Sequence, residues 1–87
     1  MHYFPMNKII NVVFYQTSQG KEPVKEWLME LREHDRKAVG QEIKTVEYGW
    51  PLGMPLVRKL TNGLWEVRID MQDGIARVLF TLVDKQK

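Results

Sequence analysis

Lys59, Glu66, Arg68 and Arg77 are the side chains whose types and spacing suit chemistry, with Arg58 beside them. All five lie in a stretch where apolar and polar residues alternate, so strand register decides which of them share a face. Two dipeptides set that register: Asn62-Gly63 and Asp73-Gly74 both signal two-residue hairpin turns. With the first as a turn, Thr61 lies opposite Leu64, Leu60 opposite Trp65 and Lys59 opposite Glu66. With the second, Gln72 faces Ile75, Met71 faces Ala76 and Asp70 faces Arg77. Alternation then gathers Leu60, Trp65, Val67, Ile69, Ala76, Val78, Phe80 and Leu82 on a core side. The other side carries Lys59, Glu66, Arg68, Asp70 and Arg77, with Leu79 and Thr81 beside them. Arg68 and Arg77 stand diagonally, two positions apart, within reach of one phosphate. Arg58 turns toward the rim in this register.

Planar guanidinium forks match phosphate oxygens, so the chemistry such a face supports is phosphate binding and charge stabilisation. A plainer role fits the same residues. The charges can simply solvate the open face of a two-layer fold, with Lys59–Glu66 and Asp70–Arg77 as ordinary cross-strand pairs. Position alone does not choose between the two.

Other chemistries have less to stand on. The two histidines, His2 and His34, lie in a tail and at a helix end, and without cysteine they give no zinc spacing. Ser18 sits in a turn with no histidine expected near it, so no catalytic triad is indicated. No glycine-rich phosphate loop follows the first apolar run. Trp27 and Trp50, at helical spacing, read as core, as does Trp65, while Tyr15 and Tyr48 fit either role.

The elements that must position the charged face follow from pattern. Residues 9–17, IINVVFYQT, are β-branched and aromatic and predict a first strand, which SQGK interrupts. Pro23 suits a first helical turn, and Val24, Trp27, Leu28 and Leu31 form one apolar stripe ending near His34. Asp35 is placed to cap a second helix whose Val39, Ile43, Val46 and Trp50 recur at helical spacing. The Gly49 to Pro55 stretch ends it. Three strands follow at about 56–61, 64–71 and 75–83. The fold class expected is α+β: an N-terminal strand, a two-helix hairpin, then a three-stranded antiparallel meander with the helices packed on one sheet face.

The chain has 87 residues, which is one domain, with residues 1–8 expected as a flexible tail. Its composition, 44% hydrophobic with three Trp, three Tyr and three Phe, is that of a globular protein. The absence of cysteine excludes a disulfide scaffold and suits a cytoplasmic setting. No segment approaches the roughly 20 apolar residues that span a bilayer, so no membrane partner is expected. A net charge of +2 is too small to indicate a nucleic-acid partner unaided.

The run PLVRKLTNGLWEVRIDMQDGIARVLFTLV resembles the central motif of the phage-derived, HigB-like branch of the RelE toxin superfamily. The matching residues are Lys59-Leu60, then Gly63-Leu64-Trp65-Glu66-Val67-Arg68, then Arg77-Val78-Leu79-Phe80. The upstream PVKEWLMEL is similar to that family's first helix, so the resemblance covers about residues 9–84. It implies a RelE-like fold and the toxin of a type II toxin–antitoxin pair, a metal-independent endoribonuclease that cleaves messenger RNA on the ribosome. Implied partners are mRNA, the ribosome and a HigA-like helix-turn-helix antitoxin; no cofactor and no metal are implied. The implied catalytic residues are Lys59, Glu66, Arg68 and Arg77, and the RNA-binding ones Arg58, Lys59, Arg68 and Arg77. Arg68 and Arg77 would stabilise phosphoryl charge, Lys59 would donate a proton or stabilise charge, and Glu66 would act as base or as partner to Lys59.

Family members usually continue with a further strand and a Gly-Phe-x-Lys-Lys type stretch, whereas this sequence ends on Asp84-Lys85-Gln86-Lys87. The expectation is a toxin lacking that strand, cleaving RNA poorly and open to self-association along an exposed strand edge. The alternatives are a catalytically weak homologue that only binds its antitoxin, and a phage-related interaction module with no RNA role.

Overall fold

The computed structural model describes residues 7–83. The expected tail at 1–8 therefore lies mostly outside the described residues, as does the polar stretch 84–87. Two compact units are present, Met1–Pro51 and Leu52–Lys87. The element order is two helices followed by a three-stranded antiparallel sheet, an α+β arrangement. Among the described residues no helix is long and apolar enough to cross a membrane.

In the first unit, helix α1 spans Pro23–Glu30 and helix α2 spans Glu33–Gly49. Pro23 opens α1, where its missing N–H costs no helical hydrogen bond. The helix stops at Glu30, four residues before the expected end near His34, because Leu31 and Arg32 turn extended. Glu33 and Asp35 thus occupy the first turn of α2, where their charge opposes the helix dipole favourably. Asp35 is not the cap; Arg32 holds that position. The Arg36 guanidinium donates to the Leu31 carbonyl at 2.9 Å and ties the corner between the helices. Val39 and Val46, seven residues apart and so on one helical face, are buried.

Residues 9–17, expected as a strand, form no ladder. They are held instead by Glu47. Its carbonyl accepts from the Ile9 and Ile10 N–H groups at 2.8 and 3.2 Å, and its carboxylate from the Val12 N–H at 2.9 Å. Lys8 pairs with the same carboxylate at 3.4 Å. β-branched composition made this segment strand-like, but a strand also needs a partner for its backbone groups. Here a single glutamate takes three of them.

In the second unit, β1 is Val57–Thr61, β2 is Leu64–Met71 and β3 is Gly74–Phe80, in the order β1-β2-β3. Gly63 takes the positive φ of +80° that the first turn requires. Thr61 lies opposite Leu64 as expected, but the pairing then shifts: Lys59 lies opposite Trp65, Arg58 opposite Glu66 and Val57 opposite Val67. Leu60 is the extra residue of a β-bulge. The second turn is also displaced. Met71 pairs with Gly74, so Gln72 and Asp73 form the turn, and Arg68 lies directly opposite Arg77. Val57, Val67 and Ile69 are buried, while Leu60 and Leu82, expected in the core, are exposed. Trp65 and its cross-strand partner Phe80 stack, with ring centroids 6.0 Å apart and planes at 20°.

Candidate phosphate-binding site

The two register corrections have opposite consequences, because side chains alternate with a period of two. Between β2 and β3 the shift is two residues, which leaves every side chain on its face. Arg68, Arg77, Glu66 and Asp70 therefore share one side as expected, and Arg68 meets Arg77 head-on, not diagonally. Between β1 and β2 the shift is one residue, which exchanges the faces. Arg58, expected at the rim, lies opposite Glu66 on the charged side, and Lys59, expected beside Glu66, goes to the Trp65 side.

Three arginines thus surround one glutamate. Arg77 Nε lies 3.7 Å from Glu66 Oε1, and Arg68 Nε lies 3.9 Å from Asp70 Oδ1. The two arginine side chains remain 58% and 48% exposed, whereas Glu66 is only 15% exposed. Each guanidinium contacts its carboxylate through one long approach, so most of its N–H donors stay available. Like charges placed directly opposite on a sheet repel. An anion seated between Arg68 and Arg77 would relieve that repulsion.

A pocket of about 100 Å³ opens here, lined by Met54, Pro55, Leu56, Arg58, Glu66, Arg68 and Arg77. The Arg68 N–H donates to the Leu56 carbonyl at 2.8 Å, and the Val57 N–H to the Gly53 carbonyl at 3.1 Å. These bonds fix the wall that precedes β1 against the strand that supplies Arg68. Sequence reasoning missed both the wall and the central position of Arg58. A signal was present: Val57 and Leu60 are three apart and cannot both face one side of a regular strand. Among the described residues no three His, Cys, Asp or Glu side chains gather as a metal-binding group.

The model of the family described as Phage derived protein Gp49-like (DUF891) matches residues 26–87, most of the chain. The chain belongs to the Gp49-like phage-derived protein family. The match begins inside α1 and takes in α2, the sheet and every residue of the Gp49-like protein's charged face. Neither the curated proteins nor the solved structures yield a match.

Proposed function

We propose that this Gp49-like protein is the toxin of a type II toxin–antitoxin pair and cleaves messenger RNA on the ribosome through the RNA's own 2′-hydroxyl. The observation that carries the reading is the head-on placement of Arg68 and Arg77, both half exposed, beside Arg58 and a sheltered Glu66. Family membership supports it, since Gp49-like proteins are associated with toxin-like proteins. In the reaction, Glu66 takes the 2′-proton, the 2′-oxygen attacks phosphorus and the bond to the 5′-oxygen breaks. Arg58, Arg68 and Arg77 hold the charge that builds on the non-bridging oxygens. The leaving oxygen takes its proton from solvent. Lys59, on the other side of edge strand β1, contacts flanking RNA backbone. The partners proposed are mRNA, the ribosome and a helix-turn-helix antitoxin, with the cytoplasm as the place of action.

The test is regulated expression in a bacterium with mapping of mRNA 5′ ends. Cleavage within translated messages that disappears with Arg77→Ala supports the reading; an unchanged cleavage map in that variant rejects it. The second reading, an antitoxin-binding homologue without nuclease activity, draws on β3. It is a terminal strand of the sheet, and it exposes Ile75 and Leu79 on the face that carries Arg77. Antitoxin capture with no new mRNA ends in the same experiment would favour it.

A further inference from the structure

We infer that Met54 and Pro55 form a nucleoside-binding wall next to the phosphate site, so that the ligand is a single-stranded phosphodiester and not a lone phosphate. The inference rests on the phosphate reading of Arg68 and Arg77 and adds the chemistry of the neighbouring group. The pocket lining is of two unlike kinds: apolar Met54, Pro55 and Leu56 from the segment before β1, and charged Arg58, Arg68, Arg77 and Glu66 from the strands. An inorganic anion needs only the second. Met54, 75% exposed, lines the same pocket as the three arginines and so offers an apolar surface to whatever extends from an anion bound there.

The wall is held in place relative to the cations. Leu56 accepts from the backbone of Arg68, the residue whose side chain lines the same pocket, and the Gly53–Val57 hydrogen bond closes the turn that presents Met54 and Pro55. A volume of about 100 Å³ is well below that of pockets enclosing drug-sized ligands. It accommodates a phosphoryl group inside, with the attached sugar and base lying outward across Met54 and Pro55. Single-stranded nucleic acid is commonly held by phosphates on a positive groove and bases stacked on aromatic side chains; here the apolar, non-aromatic Met54 and Pro55 take the place of the second component. Because an apolar wall carries no hydrogen-bond pattern, the contact is tolerant of base identity.

The experiment is an NMR titration of the full chain with three probes: dimethyl phosphate, a dinucleoside monophosphate blocked by 2′-O-methylation, and a phosphoserine peptide. The dinucleotide should bind more tightly than the other two. Met54→Ser, an exposed site that should leave the fold intact, should weaken the dinucleotide by about tenfold, the scale of losing one base contact, and leave dimethyl phosphate unchanged. Arg77→Ala should weaken both. Equal dinucleotide affinity in wild type and Met54→Ser, with Arg77 still required, would overturn the wall and leave the phosphate site standing. Binding of neither phosphodiester would overturn both. A phosphopeptide bound as tightly as the dinucleotide would also overturn the assignment.

Discussion

At the scale of single residues, Arg77 carries two opposing interactions whose sizes are similar. Facing Arg68 costs a few tenths of a kcal/mol, and the long, half-exposed pairing with Glu66 returns roughly as much. Arg77→Gln should therefore change stability by no more than about 0.5 kcal/mol. In the proposed reaction the same variant loses about 10²–10³-fold in cleavage, the scale of removing one charge-stabilising donor. Thermal denaturation and a cleavage assay together check this, and a melting temperature that collapses would make Arg77 a structural residue. Trp65 is the opposite case. It is only half-buried, yet stacked on Phe80, so Trp65→Ala should cost about 2–3 kcal/mol, below the range for a fully enclosed Trp. Chemical denaturation measures that directly.

At the scale of elements, the bulge at Leu60 decides which cation serves the site. Arg58→Ala should therefore weaken phosphodiester binding far more than Lys59→Ala, although the two are neighbours of equal charge. The reverse order in an affinity measurement would restore the unbulged pairing. The anchoring of residues 9–17 is testable as well. Glu47→Ala removes the carboxylate that accepts from Val12 N–H but leaves the backbone carbonyl that accepts from Ile9. Hydrogen exchange should accelerate at Val12 and not at Ile9, with about 1–3 kcal/mol of stability lost. What was legible in the sequence follows the same division. Both helices and all three strands of the sheet were readable because their apolar spacing is long and regular. The charged face of β2 and β3 survived a wrong turn assignment because an even shift preserves sidedness. Turn chemistry specifies register only as far as the first irregularity, so Arg58 and Lys59 exchanged places. Propensity in residues 9–17 reported local preference and nothing about a pairing partner.

At the scale of the whole molecule, a net charge of +2 and a pI of about 9.0 give little long-range attraction for RNA. Binding must then come from local contacts, and its salt dependence should count them. Three arginines converging on one phosphate of a single strand, with Lys59 on a flanking one, neutralise two phosphates and predict a slope of log affinity against log salt of roughly −1.4. A slope near zero would mean that these cations do not engage phosphate, and a much steeper one that further surface cations take part.

The bulge also gives the β1–β2 hairpin the character of a reading frame. Between Lys59 and Thr61 the strand holds one residue more than its partner requires, so the bulge, and not residue identity, selects the side chain presented to the ligand. Losing Leu60 together with the bulge would leave Arg58 opposite Glu66, whereas regularising the strand at unchanged length, so that Leu60 pairs with Trp65, would rotate Arg58 away and bring Lys59 round. A forked, planar donor would be exchanged for a point charge while composition and net charge stayed almost the same. Related chains of equal length that differ in whether this hairpin is bulged would then bind the same anion with a different geometry, a divergence that conservation of the basic residues alone would conceal.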